Sequence, residues 1–119
     1  MNIICNGPSM KPTLLPGDKI FTEDISFEKL RRGDVILYDN PENIRINIIH
    51  RIIGCDSEGL ITRGDNNSMI DPYRVRAEHH PLKVVAFERD AQRLPIPKYS
   101  KHQIFQKKYG SFGFLMDEA

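Results

Sequence analysis

The chain has no tryptophan, has cysteine at only two positions, and carries no excess of either charge. Two cysteines cannot build the disulfide framework of a small secreted scaffold, and Cys5 and Cys55 read as free thiols. Seventeen basic against 16 acidic residues leave a formal net charge of +1, which gives no electrostatic footprint for a nucleic acid partner. Apolar runs are short, as in Ile48-Ile49 and Ile52-Ile53, whereas a membrane-spanning helix needs about 20 consecutive apolar residues. No transmembrane segment is expected. The start, Met1 to Asn6, lacks the basic and apolar regions of a signal peptide. A soluble cytoplasmic location is therefore expected, with peripheral membrane association as an alternative. Internal repeats and low-complexity tracts are missing too. So are a Gly-x-x-x-x-Gly-Lys phosphate loop and a Cys/His ligand spacing, and neither a cofactor nor a metal is expected. His79-His80 does not change this, since neighbours on a strand point to opposite faces.

What is present is the composition of a folded domain. Hydrophobic residues make up 39% and charged residues 28% of 119 residues, enough for one domain with its own core. Eight glycines and eight prolines divide the chain into short pieces. Lys19 to Thr22, Asp34 to Asp39, Leu60 to Arg63 and Leu82 to Glu88 read as strands bounded by turn residues. Ile44-Arg45-Ile46-Asn47-Ile48 alternates apolar and polar with the period of a half-buried strand and runs on to Ile53. Helix is confined to a turn at Ser26 to Leu30, capped by Ser26, and a short helix over Ser100 to Tyr109 stopped by Gly110. The pattern predicts an all-β barrel or sandwich.

Chemistry concentrates near the start, at Gly7-Pro8-Ser9-Met10-Lys11-Pro12-Thr13-Leu14-Leu15-Pro16-Gly17-Asp18. A serine between two prolines is held in a non-helical stretch, with its hydroxyl and nearby N–H groups fixed in place. Serine is a weak nucleophile and needs an adjacent base. His50 is suited to that task because imidazole exchanges its proton near neutral pH. An acid accepting from the far ring nitrogen would fix the tautomer of such a base. Arg-Gly-Asp occurs at Arg32 to Asp34 and again at Arg63 to Asp65, where it reads as turn chemistry rather than an adhesion signal.

Ser9-Met10-Lys11-Pro12-Thr13-Leu14 followed by Pro16-Gly17-Asp18 resembles the nucleophile box of the type I signal peptidases. Further segments are similar in order and spacing: Arg32 to Ile36 to the second box, His50 to Gly54 to the base box, Arg63 to Asn67 with Asp71 to the acidic box, and Val84 to Ala86 to the closing strand. The resemblance covers about residues 7–88, leaving a C-terminal extension at 98–119 in a single catalytic domain spanning 1–119. It implies a coiled β-barrel of the LexA and signal peptidase kind, with a short C-terminal helix. Common bacterial members carry a lysine where this chain has His50, and a histidine there is the pattern of the archaeal and endoplasmic-reticulum branch. The implied activity is that of a serine endopeptidase acting on peptide or protein substrates through an acyl-enzyme. Ser9 is then the nucleophile, His50 the base and Asp71 the orienting acid, with Asp65 the alternative. Gly7, Pro8 and Met10 flank the oxyanion position, and Gly7 replaces a serine whose hydroxyl serves that hole in the bacterial branch. A non-catalytic peptide- or protein-binding module on the same fold is the alternative function. Phe112, Phe114 and Leu115 are candidates for a partner surface.

Overall fold

The computed structural model describes residues 2–98. Seven strands, β1 (Ile3–Ile4), β2 (Lys19–Glu23), β3 (Val35–Asn40), β4 (Asn43–Asp56), β5 (Gly59–Arg63), β6 (Leu82–Arg89) and β7 (Gln92–Pro95), form one antiparallel sheet. Among the described residues, helix is limited to the 3-10 turns Phe27–Lys29 and Ala77–His79. The fold is all-β, as the turn-bounded apolar segments predict. Ser26 precedes the first 3-10 turn, but its side chain makes no capping bond. The expected helix over Ser100 to Tyr109 and the apolar residues Phe112, Phe114 and Leu115 lie outside the described residues.

The strand order is β1-β2-β6-β3-β4-β5, with β7 pairing β6. β6 meets β2 along one edge, while its other edge is shared by β3 at Leu82 to Val84 and β7 at Ala86 to Arg89. β4 is long enough to serve two partners in turn: β3 pairs with it as far as Arg51, and β5 pairs from Arg51 to Asp56. Short polar side chains close the hairpins. Asn40 Oδ1 accepts the Glu42 N–H at 2.8 Å, and Asp56 Oδ1 accepts the Glu58 N–H at 2.9 Å, so each turn carries its own Asx bond.

Both faces of the sheet are covered, and the period of two along β3 shows why. Val35 packs with Cys5, Met10, Leu14, Ile20, Val84 and Phe87, while its neighbour Ile36 packs with Leu30, Tyr38, Ile52, Leu60 and Val75. Each such side chain contributes about 1.5–3 kcal/mol on burial. The first cluster fastens the N-terminal segment to the sheet through Met10 and Leu14, which are 1% and 0% exposed. The segment carrying Ser9 is therefore anchored from beneath.

A buried ion pair holds the end of that segment. Asp18 accepts from Arg89 Nη2 at 2.6 Å and Nε at 2.8 Å, and from the Leu15 N–H at 2.8 Å. The guanidinium beside it holds the Asp18 carboxyl below the usual carboxylate range, against the opposing pull of burial. A depressed carboxyl adds stability above its unfolded pKa of about 3.9 and loses it as pH falls through the folded value. Asp18→Asn should cost about 1–3 kcal/mol at pH 7, since hydrogen bonds to charged groups are worth that much. The difference from the parent should shrink below about pH 4. Urea denaturation at both pH values reads it, and an equal cost at the two pH values would contradict this assignment.

Candidate active site

Ser9 and His50 approach across the end of the sheet. His50 Nε2 lies 3.2 Å from Ser9 Oγ, and His50 Nδ1 lies 2.7 Å from Asp71 Oδ2. A carboxylate oxygen accepts, so the imidazole carries its proton on Nδ1 and turns the Nε2 lone pair to the serine. His50 and Asp71 are buried, at 7% and 8% exposure, while Ser9 is half-buried and open to a cleft.

The positions of the three follow from local structure. Ser9 sits in the turn that starts at Gly7, whose φ of +78° suits a residue without a Cβ. Pro8 accepts from the Lys11 N–H at 3.1 Å and from Asn66 Nδ2 at 3.2 Å, and Ser9 O accepts the Asn66 N–H at 2.8 Å. The loop after β5 therefore grips the backbone of Pro8 and Ser9. His50 lies on β4 opposite Ile36. Asp71 follows that loop, where its N–H donates to Thr62 O at 2.8 Å and its Oδ2 accepts from Thr62 Oγ1 at 2.7 Å.

Asp65 is brought elsewhere. Its Oδ1 accepts from Arg51 Nε at 2.9 Å and its Oδ2 from Arg51 Nη2 at 2.8 Å and Thr13 Oγ1 at 2.5 Å. Of the two acids considered from sequence, Asp71 meets the imidazole and Asp65 meets Arg51. Met10 is packed beneath the site, with its sulfur 3.4 Å from the Asp65 N–H. Arg63, Gly64 and Asp65 are all buried, so this Arg-Gly-Asp tripeptide is not presented for adhesion. Burial pushes the pKa of the Arg63 guanidinium down, and its Nε and Nη2 have no hydrogen-bond partner among the described residues. Cys5 and Cys55 are both free, Cys5 buried and Cys55 exposed.

Sequence reasoning missed three parts of this arrangement. Tyr38 and Thr62 surround Asp71 from β3 and β5, and only the strand register brings them there. Gly64 is the third: a Cβ there would lie 2.6 Å from Ser9 O, 2.7 Å from Asn67 Nδ2 and 3.0 Å from His50 Nε2. Its place inside a Gly-Asp turn was the available signal, but a turn and a close approach look alike in sequence.

Ser9 and His50 line a cleft of about 550 Å³, together with Ile3, Cys5, Met10, Leu37, Arg45 and Ile49 among others. On one side lies β1, the end strand of the sheet. On the other lies the first half of β4, whose edge away from β3 has no strand partner among the described residues before Arg51. Two open strand edges thus border the serine, an arrangement that receives an extended chain by main-chain pairing. Among the described residues, neither the N–H of Ser9 nor that of Met10 has a hydrogen-bond partner.

Comparison with known proteins gives a consistent result. The family described as signal peptidase, peptidase S26, matches residues 1–106. The mitochondrial inner membrane protease subunit 1 of Mus musculus is 28% identical over 123 aligned positions, covering 97% of this chain and 74% of that protein. Its Homo sapiens counterpart is 36% identical over 62 positions, 50% of this chain and 37% of that protein. Signal peptidase I of Buchnera aphidicola is 32% identical over 66 positions, 44% of this chain and 21% of that protein. No solved structure matches significantly.

Gly64→Ala should separate Ser9 from His50 while leaving the core intact. The rate at which a fluorophosphonate labels Ser9 should fall by about 100-fold or more, the usual cost of displacing reacting groups by an ångström. Parent-like labelling would show that the surrounding backbone yields without consequence.

Proposed function

Since the chain belongs to the signal peptidase family, peptidase S26, we propose that it is a serine endopeptidase of the Ser/His/Asp branch, with Ser9 as nucleophile, His50 as general base and Asp71 as the acid that orients it. The observation that carries this reading is the unbroken contact from Ser9 Oγ through both imidazole nitrogens to a buried carboxylate, at 3.2 and 2.7 Å. Histidine at position 50, the base position by resemblance to the family, supports the Ser/His branch.

An extended peptide enters the cleft between β1 and the first half of β4. Ser9 Oγ attacks its carbonyl carbon while His50 Nε2 takes the hydroxyl proton. Negative charge then develops on the carbonyl oxygen, and the free N–H groups of Ser9 and Met10 are the donors nearest to receive it. His50 returns the proton to the leaving amine, and water, deprotonated by the same nitrogen, releases the acyl group from Ser9. Asp71 stabilises the imidazolium formed at each stage without taking its proton. Gly7 supplies no side-chain donor to the oxyanion.

Substrates on this reading are peptide or protein segments, and no nucleic acid is involved. No helix among the described residues is long and apolar enough to cross a membrane. The relatives are named for the mitochondrial inner membrane, however, and give no support to the expected cytoplasmic location. Ile44, Ile46, Met69 and Ile70 are exposed apolar residues on β4 and in the loop leading to Asp71, and they make membrane association of the intact protein the better proposal.

Two experiments test the assignment. Incubation of the parent and Ser9→Ala with a broad peptide library, read by mass spectrometry, should give cleavage by the parent alone. Silence from the parent, with peptide still bound in the cleft, would return the chain to a non-catalytic binding module. Asp71→Asn and Asp65→Asn should then separate the two acids. Asp71→Asn should keep the fold and lose about 10⁴ in kcat, as loss of an orienting acid does elsewhere. Asp65→Asn should lose about 3–5 kcal/mol of stability, the cost of leaving a buried guanidinium uncompensated. The reverse pattern in denaturation and turnover would reassign the roles.

A further inference from the structure

Four side chains outside the three catalytic residues converge on Asp71 or on each other behind it. Thr62 Oγ1 donates to Asp71 Oδ2 at 2.7 Å. Tyr38 OH lies 3.3 Å from Thr62 Oγ1, 3.4 Å from Asp71 Oδ2 and 2.8 Å from Tyr73 OH. The rings of Tyr38 and Tyr73 meet edge to face, with centroids 6.1 Å apart. Glu42, at the β3–β4 turn, acts electrostatically on Tyr73 from outside.

The protons can be placed by elimination. Asp71 Oδ2 only accepts, so the single Thr62 hydroxyl proton points at it and leaves the Thr62 oxygen free to accept from Tyr38. With the Tyr38 proton directed inward, the 2.8 Å contact between the phenols needs the Tyr73 proton. On this placement the hydrogen bonds run from half-buried Tyr73 through fully buried Tyr38 and Thr62 to the carboxylate that also accepts from His50, and Tyr73 interacts with Asp71 directly as well. Burial pushes the Tyr38 phenol far up, and that of Tyr73 up to about 12, so both keep their protons wherever the imidazole titrates.

We infer that Tyr73, Tyr38 and Thr62 form a directed donor relay whose role is to set how strongly Asp71 attracts the imidazole proton. The inference rests on the reading of Ser9, His50 and Asp71 as the catalytic set, and the three relay members are positioning residues that touch no substrate. Each donor disperses the carboxylate charge and makes it a weaker base, so His50 keeps its own proton on Nδ1 while the proton taken from Ser9 is carried and returned by Nε2. Lys83 of β6, which pairs with Ile36 in the ladder, shares this face with its β2 partner Glu23, and its ammonium lies 3.7 Å from Asp34. Arg51 of β4 is bound to Asp65 on the opposite side, and Arg63 of β5 projects to that side with it.

The sign of the effect is fixed by this chemistry. Removing a donor concentrates charge on Asp71, strengthens its hold on a proton shared with His50, and moves protonation of the pair to higher pH. The test is an NMR titration of the imidazole resonances in the whole protein, with His50→Gln used to assign the signal. The His50 midpoint should rise by about half to one pH unit in Thr62→Val, since one pH unit corresponds to a lost hydrogen bond to a charged group. It should rise less in Tyr38→Phe and least in Tyr73→Phe, while Thr62→Ser, which restores the hydroxyl, stays at the parent value. His79 and His80 should not move in any of them. A midpoint unchanged or lowered in folded Thr62→Val and Tyr38→Phe would overturn the relay. Should those buried variants fail to fold, half-buried Tyr73→Phe carries the same test, and no upward shift there overturns it. Fluorophosphonate labelling of the parent reports separately on the catalytic reading, because its absence leaves the titration readable.

Discussion

The fully buried pair between Arg51 and Asp65 is the constraint that the remaining geometry depends on. Both side chains are out of water, at 0% and 1% exposure, and they meet through two parallel bonds of 2.9 and 2.8 Å. Desolvating a guanidinium and a carboxylate costs several kcal/mol for each ion, and good geometry with further hydrogen bonds is needed to repay it. Those further bonds are what give the pair its reach. Asp65 also accepts from Thr13 of the nucleophile segment, and Arg51 Nη1 donates to the carbonyls of Gly33 at 2.7 Å and Pro97 at 2.9 Å. One ion pair therefore joins β4 to the loop after β5, to the N-terminal segment, to the turn before β3 and to the chain beyond β7.

The geometry of the proposed catalytic set grows from the residue beside it. His50 and Arg51 are neighbours on one strand, so their side chains leave opposite faces. One face holds the ion pair that fixes the backbone, and the other presents the imidazole to Ser9 and Asp71. β5 repeats the division: Thr62 bonds Asp71, whereas Arg63 lies on the side of Arg51, which it faces in the ladder. The loop between Gly64 and Asp71 is tied to both faces, through Asp65 below and Asp71 above. A shift of either strand by a single residue would exchange the two sets and place a guanidinium where the base belongs.

Much of the fold was legible in the sequence, for an identifiable reason. β2 to β6 are rich in Val, Ile, Leu and Phe and are bounded by turn residues, so composition and period agree over their length. β1 and β7 escaped because neither carries that signal. β1 is Ile3–Ile4 alone, and β7 is exposed along its length and ends in Pro95, so its place at an edge is decided by β6 rather than by its own residues. Ser9 and His50 stood out through the residues around them. Asp65 and Asp71 did not separate, because a carboxylate's partner depends on which face its loop reaches, and that is a tertiary property. Tyr38 was hidden for the opposite reason: a tyrosine in an apolar strand reads as core, and its ring is indeed core while its hydroxyl is not.

The division of polar groups between the two faces also accounts for how the proposed base could work while so little exposed. An imidazolium formed at 7% exposure is poorly solvated, and only a nearby negative charge makes it affordable. Asp71 provides that charge at 2.7 Å, yet a carboxylate left bare in the same surroundings would itself be costly and would compete for the proton. Thr62, buried at 0% exposure, meets that second demand with a short bond from one hydroxyl and fixes the orientation through its backbone carbonyl as well. The hydroxyls around Asp71 and the ion pair of Arg51 with Asp65 thus use separate side chains, joined through the backbone of β4, β5 and the loop between Gly64 and Asp71.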